Sequence, residues 1–527
     1  MKNTLLNFAL SSICLLGFEH GYSQCSAPSG VMLLNQNNVQ TLTHSAGDLY
    51  WDFTQSQYEV PKGSGLSTTF SGGLWLAGTD LSGQLKMAVA KYRNTGSDYY
   101  AGPIDANGQT LNCNDFDRVW PITRSEVSDF RSNPTLTTQN IMNWPGRNNP
   151  NLAYTKDVDL APFVDVDNDG NYNPLNGDYP DFKGDGASFS VFNDIGNLHT
   201  ESGSDQMGVE VHLMAYAYST NNQVNNATFY EYTIKNKGAN DLFDMNIGIF
   251  TDFDLGGSRD DLVGCDINRN LGYIYNGDGL DEDAGGVLGY GKNPPLAGIK
   301  MVGLPTKENN TYSMNSFKAL GSSPNTDPNL AIHYYNLLNG MKMNGGFDTL
   351  PNGDSVLFQY SGIPGGTGIS ECSSGNAPGE RKILMNFGTF DFAQKEEITF
   401  TFANIYARGT NPNYSTCVDG ISVLQEAADT VQAHFDDVKR TTNINSLSNQ
   451  SESFNIFPNP VQSQITLDKL HEGSRIEIIN AQGGLVDRVT INNDHVQIDV
   501  SEYNQGIYFI KATDKNNRSQ IKKFVKE

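Results

Sequence analysis

The sequence predicts a mainly β protein: a large β-sandwich-type main body with few helices, followed by a smaller immunoglobulin-like β-sandwich of about seven strands. Three observations predict it. Runs such as GVEVHLMAYAYS (208–219) and TFYEYTIKNKG (228–238) alternate with period two, as strands of an antiparallel sheet with one buried face do. The runs are separated by turn residues, and the chain carries 53 glycines, which supply the backbone angles tight turns need. The best helical spacing is in ISVLQEAADTVQAHFDDVKR (421–440), where Val423, Leu424, Ala427, Val431, Ala433 and Phe435 form one broad stripe.

At 527 residues, 38% hydrophobic and 10% aromatic, the chain is long enough for several domains and a large core. The net charge of −24 excludes a phosphate-neutralising nucleic-acid binder and an electrostatic hold on an anionic membrane. It favours cations, or neutral ligands such as glycans.

Residues 1–23 read as a secretory signal: Lys2, an apolar run from Leu5 to Phe18, and a small-residue site at Ser23. The apolar run is short for a bilayer. No later stretch reaches the length of a transmembrane helix. Cys25 follows, but Tyr22-Ser23-Gln24 lacks the small residue that lipid attachment wants, so lipidation is not expected. Once Cys14 leaves with the signal, Cys25, Cys113, Cys265, Cys372 and Cys417 remain. They allow up to two disulfides with one thiol left over, and Cys372–Cys417 is the pair to expect. There is no CxxC spacing for zinc.

The main body spans 24–440, with a break into two subdomains near 290–300 as one option. Between Val31 and Trp120 short strands alternate with turns. Gly72-Gly73-Leu74-Trp75-Leu76-Ala77-Gly78 reads as a strand hemmed by glycines, with Trp75 in a sandwich core. Thr123-Arg124-Ser125-Glu126 is a capping pattern that starts a short surface helix. Residues 208–219, 228–238, 242–257 and 396–408 read as strands. Residues 441–452 are a polar linker. From Ser453 to Glu527 there are nine basic and nine acidic residues, so the excess acid lies in the body.

Residues 157–185 hold eight aspartates. Within them Asp165-Val-Asp167-Asn-Asp169-Gly170 places oxygens at positions one, three and five of a loop, with glycine at six, a spacing that wraps a chain round calcium. Asn171 offers a carbonyl at seven. Asn176 stands at twelve, where an EF-hand has its bidentate glutamate, and Asp178 or Asp181 substitutes for it. The expected cofactor is therefore Ca2+, in a structural role. A second, weaker candidate is Asp252, Asp254, Asp260, Asp261 and Asp266. A third is Asp278, Asp281 and Asp283.

Catalytic constellations are poor. There is no HExxH and no GxSxG. Gly353-Asp354-Ser355 sits in a turn without the apolar strand an esterase block needs. Glu210 and His212 share one strand face, with His199 near in sequence, and a hydrogen-bonded core-edge histidine is the simpler expectation. A carboxylate pair for glycoside hydrolysis can always be found among 59 acidic residues, so it carries no weight.

Residues 454–527 read as seven short strands: FNIFPNP, QITLD, SRIEIINAQG, LVDRVTI, VQIDV, GIYFIKATD and IKKFVKE. Phe457-Pro458-Asn459-Pro460, Asn480-Ala481-Gln482-Gly483, Gly506-Ile507-Tyr508 and Lys522-Lys523-Phe524-Val525-Lys526 resemble the C-terminal sorting domain of type IX secretion, a system of the Bacteroidetes. The resemblance covers 453–527. It implies engagement with the type IX secretion machinery and export, the sorting domain often being removed and the cargo released or attached to the surface. Gly73-Leu74-Trp75, Pro162-Phe163-Val164-Asp165, Gly177-Asp178-Tyr179-Pro180, Asp252-Phe253-Asp254-Leu255-Gly256 and Tyr275-Asn276-Gly277-Asp278 resemble secreted or surface proteins of the same bacteria, a group that carries no settled activity.

The sequence therefore points to a secreted or surface-attached, calcium-stabilised β-rich protein. Its expected role is non-enzymatic, in binding, adhesion or surface structure, with a glycan or surface polymer as ligand. The alternatives are a secreted hydrolase of polysaccharide or protein with its carboxylates in the acidic loops, and a self-assembling extracellular subunit.

Overall fold

A computed structural model describes residues 25–308, 310–321, 327–349, 353–448, 454–470, 473–480, 484–491, 493–513 and 519–527. The signal reading of 1–23 and the turn residues Ala481–Gly483 lie outside these. The chain divides into two compact units at Val431/Gln432.

The first unit is built on two antiparallel sheets. One runs in the order 261–266, 271–276, 296–303, 397–407, 227–236, 209–217, 186–193 and 100–101, with 120–123 also pairing 186–193. The other runs 314–321, 381–392, 242–253, 67–79 and 58–59, with 85–89 pairing 67–79. Their facing sides fill one core: Leu74, Leu76, Ile247 and Ile249 from one sheet, Val211, Leu213, Tyr232, Ile299 and Phe400 from the other. Burying apolar area of this extent is the main stabilising term of the body.

Strand Leu296–Gly303 lies inside the nine-stranded sheet and pairs with both 271–276 and 397–407. The region expected to divide the body near 290–300 thus joins its two halves instead.

Both outer faces are covered. Helix Ala331–Leu338 lies on the six-stranded sheet, where Trp75 stacks on Phe250 at 5.2 Å and meets Tyr334 edge-on at 5.0 Å. Trp75 is fully buried and donates its indole N–H to Ala90 O. The glycines beside it do not bound the strand, which runs from Ser67 to Thr79. A Cβ on Gly73 would meet Ala90 at 2.5 Å, and one on Gly72 would meet the Tyr50 ring at 2.7 Å. These glycines serve close approach.

On the nine-stranded sheet, Trp120 and Trp144 each reach Phe189 at 6.2 Å. Phe189 in turn meets the His212 ring edge-on, and strand Val209–Ala217 is buried on both faces, where period-two alternation predicted one. Helix Arg124–Ser132 opens on the expected capping box of Thr123 and Glu126. Helix Ser422–Ser448 buries Leu424, Ala427, Ala428 and Val431, while Ala433 is exposed. Its backbone continues through 441–448, expected as linker, because nothing there breaks a helix.

The sheet edges are occupied by loops. Val263 N–H donates to the buried Glu371 carboxylate at 2.7 Å, and Cys265 N–H to Tyr360 O at 3.3 Å. On the other sheet Phe317 N–H donates to Leu357 O at 2.9 Å. Such caps keep an edge from templating another chain. Disulfides join Cys25 to Cys113 and Cys372 to Cys417, and Cys265 is a buried free thiol. The second pair is the one the sequence suggests. Cys25 Sγ is committed to Cys113, which leaves no thiol for a lipid.

The second unit has the seven expected strands in two antiparallel sheets, 455–457, 464–468 and 496–499 in one, and 485–490, 475–480, 506–513 and 519–526 in the other. Ile465, Leu467, Ile476, Ile478, Ile510 and Phe524 close its core.

Candidate metal centre

The two-residue ladder Phe163–Val164 against Tyr179–Pro180 sets Asp165 and Asp178 side by side at one end. From there the chain loops through Asn168 and Gly170, both at positive φ. The result is a convergence of carboxylates: oxygens of Asp165, Asp167 and Asp178 lie within 4.8 Å of one another, the one such group among the described residues. Unit charges at that spacing repel by about 1 kcal/mol in water and about 3–4 kcal/mol at the dielectric of a protein surface. A divalent cation turns that repulsion into ligation by hard oxygens.

The buried member is Asp178, with no exposed surface. Its Oδ1 accepts Val166 N–H and its Oδ2 accepts Asn173 N–H, both at 2.8 Å. Burial pushes this carboxyl above its ordinary range against those two donors, and the charges of Asp167 and Asp165 add to the rise. Asp165 accepts Gly170 N–H at 2.8 Å, and Asp167 accepts the Asn176 amide at 2.7 Å.

Two other predicted ligands, Asp169 and Asp181, are placed differently. Asp169 turns its carboxylate to Asn171 N–H at 2.7 Å, and the Asn171 side chain accepts from Asn148. Asp181 is exposed at the far end of the ladder, its N–H on Pro162 O. The ladder that joins Asp165 to Asp178 carries Asp181 away.

The second and third sequence clusters are redistributed. Asp252 is buried on the outer side of its sheet and accepts Tyr92 O–H at 2.5 Å. Asp266 pairs with Arg269 at 2.9 Å and caps the following turn. Asp278 and Asp283 cap Leu280 and Gly289 N–H groups. Asp254, Asp260 and Asp261 stay together, and Asp281 joins them from the third cluster. Asp261 accepts Leu255 N–H, and Asp281 accepts Gly257 N–H at 2.9 Å and Tyr290 N–H at 2.6 Å. Burial, aided by Glu380, pushes Asp254 up to about 7. Burial also pushes Asp260 and Asp281 up to about 6, with the Glu282 charge adding to both. Sequence spacing hid this grouping because the hairpin of 261–266 with 271–276 creates it.

The histidines are structural in their contacts. His212 meets Glu210 at 2.8 Å, and the other Glu210 oxygen accepts Ile104 N–H at 2.8 Å. His199 lies apart from them, its ring nitrogens at Met87 O and Asp194 O. Ser355 pairs with Thr349 in a short hairpin. All four tryptophans are buried, so none offers a free face for a sugar ring.

Residues 455–527, the seven strands of the second unit, match the family of the secretion system C-terminal sorting domain. This end of the chain is a type IX sorting domain. The sorting domain marks the protein as secreted, released or attached at the outer cell surface, and as a client of the type IX machinery. No helix among the described residues is long and apolar enough to cross a membrane.

No curated protein matches the sequence. Among solved structures, a polysaccharide lyase is similar at 8% identity and a TM-score of 0.18, over 60% of this chain and 34% of its own. The adhesin domain of Epf from Streptococcus pyogenes is similar at 10% identity and 0.11, over 58% and 80%. PorZ, a surface component of type IX secretion in Porphyromonas gingivalis, is similar at 9% and 0.14, over 67% and 45%. The chain thus spans about a third of the lyase, and similarities of this size carry no functional argument.

Proposed function

We propose that the exported body is a calcium-stabilised β-sandwich with a non-enzymatic role in binding or surface structure. The observation that carries this reading is the convergence of Asp165, Asp167 and Asp178 on one point, with Asp178 closed off beneath the loop. All the offered atoms are oxygens, the set that hard cations take and softer metals do not. The ion is structural: it ties a loop that is otherwise held apart by its own charge. The capped sheet edges count against assembly by strand addition in the body. In the sorting domain, sheets of first-second-fifth and fourth-third-sixth-seventh strands fit an immunoglobulin-like sandwich.

A glycan or surface polymer remains the ligand class that suits the acidic, exported body, held by polar side chains rather than by tryptophan stacking. The test is a screen of polysaccharides and peptides against the full-length chain, with calcium and with chelator. Binding without turnover is the expected result. Cleavage of any polymer that is abolished by replacing an acidic loop residue would make the protein a hydrolase and end this reading.

A further inference from the structure

We propose that the groove between strand Trp120–Thr123 and the helical turn Gln139–Met142 is the saccharide site of the body, and that it takes a neutral sugar unit through its hydroxyl groups. The inference rests on the carbohydrate reading given above and adds the place and the charge class.

The groove has a volume of about 310 Å3, the size of a cleft that holds a small ligand. Its floor is apolar, with Val119 and Trp120 both buried. Its walls are polar. Gln139 and Asn143 stand one helical turn apart, the Asn143 N–H on Gln139 O at 2.9 Å. Neither spends a side-chain amide atom on another described residue. The exposed Arg118 guanidinium lies 5.8 Å over the Tyr154 ring and makes no hydrogen bond among the described residues. Asn140 is set in place: its Nδ2 donates to Glu126 Oε1 at 2.9 Å, and Glu126 is held in turn by Thr123 and Thr138. The Asn140 carbonyl oxygen is left to accept. Amides that donate and accept, fixed over an apolar floor, match the O–H groups and C–H faces of a sugar ring.

Charge and backbone narrow the class. Asp117 and Arg118 border the groove with opposite signs and the amides are neutral, so nothing there draws an ionised ligand. Pro121 has no N–H, which denies an incoming peptide strand a donor along that wall. The larger cleft beside Phe358, about 550 Å3, offers less: its Asp348, Gln359 and Tyr360 are tied to Lys318, Ala319 N–H and Asn376.

The test is an array of neutral oligosaccharides of glucose, galactose, mannose and xylose, with charged polysaccharides beside them. It is probed with the full-length chain, with Gln139→Ala/Asn143→Ala and with Arg118→Ala. The parent is expected to bind a neutral sugar, and each variant to bind it roughly ten-fold more weakly, as the loss of one or two hydrogen bonds implies. Melting temperatures are expected to stay unchanged, since these side chains hold no other residue. Neutral-sugar binding that both variants keep in full overturns this site and leaves the carbohydrate reading standing. A parent that binds charged polysaccharides alone overturns it too. A parent that binds no saccharide at all ends both readings. Should the double variant not fold, Arg118→Ala decides, and full binding by it overturns the site.

Discussion

The Asp178 carboxylate, shut away from solvent, accepts the Val166 N–H at 2.8 Å from beneath the very loop whose charges repel it. Asp178 thus serves both the backbone and the carboxylate cluster. Asp178→Asn separates the two duties, because an amide accepts one N–H but offers no charge. It is expected to lower stability without calcium by about 1–2 kcal/mol and to lose most of the calcium response. Urea unfolding with and without calcium measures both. An unchanged calcium increment would mean that the ion binds elsewhere.

The Cys372–Cys417 bridge fastens the chain directly after Glu371, which with Tyr360 caps strand Asp261–Asp266. Replacing both cysteines with serine is expected to cost about 2–4 kcal/mol. Exchange at the Val263 and Cys265 amides should rise more than at Val211. Uniform loosening, or none, would contradict the capping role. Thiol titration of the unreduced, unfolded chain should find Cys265 alone among the residues beyond the signal.

Asp117 ties the N-terminal segment down by accepting from Ser29, Gly30 and Ser45. Burial raises its carboxyl pKa, but those donors outweigh it and hold the group below the usual carboxylate range. A depressed folded value contributes stability above the unfolded pKa of about 3.9, which is lost as pH falls through the folded value. The stability gap between the parent and Asp117→Asn should therefore be full at pH 6–7 and shrink below about pH 4. A gap that is flat with pH would refute the assignment.

Thr123 accepts Glu126 N–H, and Glu126 returns a bond to Thr123 N–H at 3.0 Å. Thr123→Ala should cost about 1 kcal/mol, read as a shift in urea midpoint without a change in slope. A larger loss would show that Thr123 does more than cap.

Much of this was readable in the chain. The seven strands of the sorting domain and the body strands at 227–236 and 397–407 follow from alternation, since each places apolar side chains on a face that meets a core. The double burial of Val209–Ala217 was not readable. Glu210, His212 and Tyr216 look like a solvent face, but Ile104 N–H donates to Glu210, Phe189 meets the His212 ring edge-on and Phe229 stacks on Tyr216. The acidic sites divide in the same way. Asp165 and Asp167 are local to one loop, so spacing finds them. Spacing offers Asp178 only as a substitute for the missing glutamate, whereas the ladder at 163–164 sets it beside Asp165. Asp281 joins Asp261 through a hairpin that spacing does not reveal.

Deleting 453–527 should abolish export of the body, because the sorting domain is what the type IX machinery engages. The truncated chain is expected to stay in the cell fraction, and its arrival in the medium would mean that another signal suffices.

The most direct measurement is the melting temperature of the full-length protein in excess calcium and in chelator. Ligand linkage predicts a rise that grows with free calcium and that Asp165→Asn/Asp167→Asn reduces. Equal melting temperatures across that range would leave the converging aspartates without an ion and contradict the account.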